Sequence, residues 1–284
     1  MRATRAKGHR GAGIAAVIVA LIVLLFVSAL DGRLCVTEYK VASPELPEAF
    51  DGLRLAVVAD PHGNYMQEKS ELAVRIAEEK ADMILLLGDM LDETAPDMES
   101  FSGFLGEIVK IAPVYAVSGN HDRWHDYYRE FLTVCKSAGV TVLEDREALL
   151  RRGADSIRLV GFADPEFWTA NPPSGCMDAV QEALPPEDGF DILLFHRANL
   201  FDHVADAGYE LVLSGHLHGG VVRLPFIGPV FKSLPVGDMT YAGGKYTVGE
   251  STLIVSRGLG NNVDVPRIFN RPELVVITLK TGEE

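Results

Sequence analysis

The sequence predicts an α/β fold: a two-sheet β-sandwich flanked by helices, preceded by one N-terminal transmembrane helix. Three observations carry this reading. Short apolar β-type runs alternate with amphipathic stretches as far as residue 143, and mostly β-type segments follow. An uncharged apolar run fills residues 13–30. Five fragments bearing metal-binding side chains sit at the ends of predicted strands, where an α/β sheet lets side chains converge.

Residues 1–12 form a basic tail with Arg2, Arg5, Lys7 and Arg10 and no acid. Residues 13–30, as a helix, span about 27 Å, close to the hydrocarbon thickness of a bilayer. The basic flank predicts a cytoplasmic N-terminus and a catalytic domain outside the cytoplasm, held by a single pass through the cell membrane. Val27-Ser28-Ala29 also reads as a signal-peptide cleavage site, so anchor and cleaved leader are both open.

Residues 31–50 read as a linker and an opening strand, punctuated by Pro44 and Pro47, before a domain over 51–284. Leu53–Ala59 predicts a strand. Gln67–Lys80 has helical spacing, with Leu72, Ile76 and Ala77 on one side. Met83–Leu87 is apolar on both faces, as in a strand covered by layers on both sides. Met98–Ile111 predicts a helix, Val114–Val117 a strand, and Arg123–Ala138 a helix stopped by Gly139. Val140–Leu143 predicts a short strand. Ala148–Arg152 and Ile157–Phe162 read as a hairpin around Gly153-Ala154-Asp155. Ile192–Phe195 and Leu211–Ser214 predict buried strands joined by a short helix, and 221–279 is β-rich.

The formal net charge of −14 argues against nucleic acid as a partner, because phosphate backbones need basic surface. Beyond residue 30 there are 22 basic residues against 40 acidic ones, a net of −18, which divalent cations would partly offset. The three cysteines, Cys35, Cys135 and Cys176, have no zinc-finger spacing.

The five fragments are Asp60-Pro61-His62, Gly88-Asp89, Gly119-Asn120-His121-Asp122, His196, and Gly215-His216-Leu217-His218. Asp60 and His62 are two residues apart and point the same way in an extended segment. Carboxylate and amide oxygens mixed with imidazoles suit Mn, Fe or Zn better than Ca or Mg. A shared carboxylate can bridge two ions about 3.5–4 Å apart. A lone Gly-Asp is usually a turn and a lone His a surface or core residue; the order of all five is what points to a pair of divalent metal ions.

That order, D-x-H, G-D, G-N-H-D, H and G-H-x-H, resembles the calcineurin-like metallophosphoesterase superfamily across about residues 53–280. Residues 13–30, the run from Gly215 to Pro225 and Ser256-Arg257-Gly258-Leu259-Gly260 are similar to its membrane-associated bacterial branch, the YaeI/YkuE-like phosphodiesterases. The resemblance implies that Asp60, His62 and His218 bind one metal, that Asn120, His196 and His216 bind a second, and that Asp89 bridges them. It implies that His121 stabilises charge or protonates the leaving oxygen and that Asp122 orients His121. A metal-bound water of lowered pKa would then attack a phosphodiester or phosphomonoester. His196-Arg197-Ala198-Asn199 and Gly219-Gly220-Val221 depart from the commoner patterns of relatives, and both flank the substrate pocket.

Three segments could shape that pocket: Trp124–Tyr128, Phe167–Asn171 and Leu224–Pro235. The last is apolar for a loop. It packs into the β-rich end, or it dips into the bilayer or holds an acyl chain, which would favour a lipid-linked phosphate. A UDP-diacylglucosamine-type pyrophosphatase and a non-catalytic metal-binding module are the alternatives. A domain outside the cytoplasm disfavours the first, and the intact ligand set disfavours the second.

Overall fold

The computed structural model describes residues 5–65, 70–92, 94, 96–123, 126–165, 178–230, 233–234, 237–261 and 263–283. Its strands are β1 (Cys35–Ser43), β2 (Arg54–Val58), β3 (Met83–Leu87), β4 (Val114–Val117), β5 (Thr141–Val142), β6 (Arg146–Arg152), β7 (Asp155–Gly161), β8 (Asp191–Arg197) and β9 (Leu211–Gly215). Then come the short pairs β10 (Arg223–Leu224) with β11 (Gly228–Pro229) and β12 (Ser233–Leu234) with β13 (Gly237–Asp238). The last are β14 (Gly244–Val248), β15 (Ser251–Val255) and β16 (Glu273–Thr281). The helices are α1 (Arg5–Ala29), α2 (Glu71–Glu78), α3 (Met98–Ile108), α4 (Asn120–Arg123), α5 (Tyr128–Ala138) and α6 (Asp178–Ala183).

Two six-stranded sheets form, ordered β1-β16-β2-β3-β4-β5 and β14-β15-β9-β8-β7-β6. β2 to β5 run parallel, as do β7, β8, β9 and β15, so the chain enters each sheet's centre by crossovers. Side-chain alternation sorts the core. In β2, Leu55 and Val57 face the second sheet and meet Ile192, Leu194, Leu211 and Leu213, while Ala56 and Val58 face α2, α3 and α5. The far face of the second sheet packs Leu193, Phe195 and Val212 under Leu200, Phe201 and Tyr209. Central strands are therefore apolar on both faces, and β3 is buried throughout.

The helices start and stop where local chemistry dictates. Ser70 accepts from the Ala73 amide at 3.0 Å and caps α2; Asp97 accepts from the Ser100 amide at 2.9 Å and caps α3. Gly139, at φ 89°, ends α5 as expected. The sequence reading differs from the structure in extent more than in kind. The helix expected from Arg123 is two pieces, α4 and α5. Between β8 and β9 stand 3-10 turns (Ala198–His203 and Ala205–Ala207) rather than a helix.

The expected transmembrane helix over residues 13–30 is not found as such: among the described residues no helix is long and apolar enough to cross a membrane. A helix, α1, does stand there. Within it Ile14, Val17, Ile18, Leu21, Ile22, Leu24, Leu25 and Phe26 are exposed.

Candidate metal centre

The two sheets converge their strand ends at one point. The turn after β2 carries Asp60 and His62, that after β3 Asp89, and that after β4 Asn120 and His121. The second sheet contributes His196 from within β8 and His216 and His218 after β9. All are buried. Asp89 Oδ2 lies 3.3 Å from His196 Nε2, 3.7 Å from His62 Nε2 and 3.9 Å from His121 Nε2. His62 Nε2 faces His218 Nε2 at 3.1 Å, and Asn120 Oδ1 lies 3.2 Å from His196 Nε2. Asp60 Oδ1 sits 4.0 Å from both His196 Nε2 and His218 Nε2.

These atoms resolve into donor groups of metal-binding size. Asp60, His62 and His218 place ligand atoms within 4.8 Å of one another; so do Asp89, His196 and His216, and so do His62, Asp89 and His121. The donor chemistry fits divalent cations. His196 Nδ1 faces the Leu87 carbonyl at 2.6 Å, which favours the tautomer leaving the Nε2 lone pair turned to the site. Two imidazole nitrogens 3.1 Å apart need a proton or a cation between them. Among the described residues, His62 Nδ1 and His216 Nε2 are buried with no hydrogen-bond partner.

The backbone is bent to make this convergence. Asp60, His62, Asp89, His216 and His218 all have φ between 47° and 75°. Such left-handed geometry costs about 1–2 kcal/mol per non-glycine residue, and strain of this kind gathers at functional sites. Glycine makes room for it: a β-carbon on Gly215 would lie 2.6 Å from Asp60 Oδ2.

Electrostatics follow from burying so many groups together. Burial pushes the Asp60 carboxyl up. Burial acts the same way on Asp89, but the imidazoles of His196, His121 and His62 overcome it and hold Asp89 well below the carboxylate range. His196 shows the reverse balance: burial lowers it, yet the Asp89, Asp60 and Asp164 carboxylates raise it. Burial takes His62 down to about 4 and carries His216 and His218 well below the usual imidazole range. A bound cation would replace the protons that Asp60 and His196 retain.

Asp122 is held between the backbones of two turns. Its Oδ1 accepts from the Met90 and Leu91 amides at 3.0 and 3.2 Å, and its Oδ2 from the Gly119 amide at 2.9 Å. It ties the β3 and β4 turns together. The His121 amide in turn donates to Asp89 Oδ1 at 2.9 Å. Arg197, next to His196 in sequence, is buried and forks onto Asp164 at 2.8 and 3.0 Å.

Three residues had no signal in the spacing. Arg267 Nη2 lies 3.3 Å from His218 Nδ1 and donates to the Gly260 carbonyl; Asn270 Nδ2 donates to the His218 carbonyl at 2.8 Å. Asp164 is identified only by its partner. Of the expected pocket segments, Phe167–Asn171 lies outside the described residues, as do Trp124, His125 and parts of 231–236.

The family model of the calcineurin-like phosphoesterases matches residues 53–220, which carry every one of these ligand candidates. The chain belongs to the calcineurin-like phosphoesterase family. This phosphoesterase is accordingly a metal-dependent phosphoric ester hydrolase. It is 31% identical to phosphodiesterase YaeI of Escherichia coli over 232 residues, 80% of this chain and 82% of that one. It is 28% identical to the uncharacterized metallophosphoesterase YkuE of Bacillus subtilis over 251 residues, 86% of this chain and 85% of that one. A transmembrane protein with a metallophosphoesterase domain from Danio rerio is 28% identical over 256 residues, 86% of this chain and 57% of that one.

Proposed function

We propose that this phosphoesterase is a membrane-anchored, two-metal enzyme acting on a phosphodiester or phosphomonoester, with a lipid-linked phosphate as the favoured substrate class. The observation that supports it best is that two donor triads, one on Asp60, His62 and His218 and one on Asp89, His196 and His216, meet at Asp89 Oδ2. Asn120 completes the second set through Oδ1. Asp89 is the carboxylate in position to bridge.

Bound Mn, Fe or Zn would neutralise the phosphate charge and supply an acidified water. The protein's own part is positional and acid–base. His121, on the turn after β4, is in position to steady charge on the ester and to give a proton to the leaving oxygen. Asp122 holds the turn that carries His121 through three backbone amides, so we assign it a positioning role. The protein layers around the site keep out bulk water, which strengthens each charge interaction.

Membrane attachment draws on the exposed apolar surface of α1 from Ile14 to Val27 and on the basic residues at the start of the sequence. The name of the Danio rerio relative is in keeping with it. The domain then lies outside the cytoplasm, where lipid headgroups and lipid-linked polymers are the accessible phosphate esters.

The test is turnover of bis-p-nitrophenyl phosphate, p-nitrophenyl phosphate and a nucleotide pyrophosphate by the full chain in detergent, with added Mn. Diester or monoester hydrolysis that falls at least ~10²-fold in Asp89→Ala supports the proposal. Preference for the pyrophosphate would favour the UDP-diacylglucosamine-type alternative, and metal-loaded protein inert on all three would favour a binding role.

A further inference from the structure

Directly after His218 the chain leaves the metal centre and turns outward. Arg223 Nη1 donates back to the Gly219 carbonyl at 2.9 Å, and Asn270 Nδ2 bonds the His218 and Val221 carbonyls. Beyond this anchor β10 and β11 pair as a small hairpin, Arg223 opposite Pro229 and Leu224 opposite Gly228. Pro225, Phe226 and Ile227 form its tip. Phe226 is fully exposed and Ile227 is 74% exposed. The core-packing reading of this loop is therefore wrong for its tip. Phe226 also has φ 67°, a strained conformation for an aromatic residue, so the fold holds this ring in solvent against both hydration and backbone preference.

The hairpin walls a cavity of about 720 Å³ whose other sides include Thr37, Arg257, Arg271 and Ser28 at the end of α1. The chain leaving α1 is bound to this place: the Phe269 amide donates to the Ala29 carbonyl at 2.7 Å, and Arg271 donates to the Arg33 and Leu34 carbonyls. Arg257 pairs with Glu273 at 2.7 Å and Arg271 approaches Asp31 at 3.5 Å. Among the described residues no carboxylate pairs with Arg223, and burial, reinforced by the Arg257 charge, presses its pKa down. A chain of net charge −14 thus concentrates three guanidinium groups in one cavity, between an exposed apolar tip and the end of an exposed apolar helix.

We propose that this cavity receives the phosphate headgroup of an anionic phospholipid while Phe226 and Ile227 enter the same leaflet, docking the domain onto the bilayer beside α1. The proposal rests on the reading of α1 as a membrane anchor. The occupant is a bilayer surface because the cations, the apolar tip and the helix end are contiguous. A soluble anion would use the arginines and leave the tip unexplained. Docking at this hairpin also sets the metal centre's position relative to lipid phosphates, since four residues, Gly219 to Val222, separate His218 from Arg223.

The experiment uses the full chain in nanodiscs of phosphatidylcholine, with or without phosphatidylglycerol, and acyl-brominated lipid as quencher. Phe226→Trp supplies the probe, read as the difference from the parent chain with its two tryptophans; Ile227→Trp is a second probe, and metal content checks that each variant is folded. The added indole is expected to be blue-shifted and quenched several-fold in discs containing phosphatidylglycerol, and the quenching to fall several-fold when Arg223→Glu is added. Disc-bound protein whose added indole stays water-like at both positions overturns the docking. Quenching that is equal without phosphatidylglycerol and unmoved by Arg223→Glu overturns the headgroup site. A blue shift without lipid quenching assigns the hairpin to a second copy or another protein. Chain that does not co-elute with discs overturns the anchor reading itself.

Discussion

A β-carbon on Gly119 would lie 2.1 Å from Oδ1 of Asp89. The same oxygen accepts the His121 amide at 2.9 Å, so the glycine admits the carboxylate that organises the β4 turn. Gly119→Ala should push Asp89 out of place. We expect about 1–3 kcal/mol of overpacking strain and a fall in turnover of roughly 10²-fold. Metal content and kcat on a phosphodiester check this; an alanine variant with full metal and full rate would show that Asp89 has slack the structure does not give it.

Asp122 holds three backbone amides from two turns. Asp122→Asn turns an NH2 group toward amide donors and should cost about 2 kcal/mol of stability, with metal affinity reduced alongside. Denaturant unfolding with and without Mn measures both. A variant of unchanged stability that has lost turnover alone would restore Asp122 to a direct action on His121.

Metal uptake should depend on pH in a defined sense. Asp60 and His196 both have folded pKa values raised above their unfolded ones. In the metal-free protein their contribution to stability is complete below the unfolded values and is lost as pH rises through the folded ones. Cations bind the deprotonated forms, so Mn affinity should rise and the thermal shift it produces should grow between about pH 6 and about pH 8. Calorimetric titration in buffers of different ionisation enthalpy should detect released protons. Affinity that is flat with pH and releases none would contradict this.

The buried Arg197–Asp164 pair predicts an asymmetry between single and double substitution. Arg197→Met leaves a buried carboxylate without its guanidinium and should cost about 3–5 kcal/mol. Arg197→Met with Asp164→Leu should recover most of that loss. Urea unfolding of the parent, Arg197→Met, Asp164→Leu and the double variant decides it, and strict additivity of the two singles would mean the groups are not coupled.

The side chains that converge at the strand ends were legible as candidate ligands because each follows an apolar run and most are marked by a neighbouring glycine, a pattern that exists in the chain before it folds. The central strands were legible for the same reason: Met83–Leu87 is apolar on both faces because layers cover both. What could not be read locally is what distant segments decide. β1 pairs β16 in parallel, Cys35 beside Glu273, across most of the chain's length. Asp164 lies 33 residues from Arg197, and Arg267 reaches His218 from a loop with no motif of its own. That Asp122 orients His121 is what the resemblance implies; that its carboxylate also takes three backbone amides from two turns had no signal in the spacing. Phe226 was legible as unusually apolar but not as exposed, because hydropathy does not say which side of a loop faces water.

The most direct test of the central claim is the number of metals bound. The full chain, purified without chelator and reconstituted with Mn, should carry about two ions by elemental analysis, as a bridged two-metal site requires. Asp89→Ala should hold one or none, while circular dichroism shows it folded. A single ion in the parent chain, unchanged by the substitution, would contradict a centre bridged by Asp89.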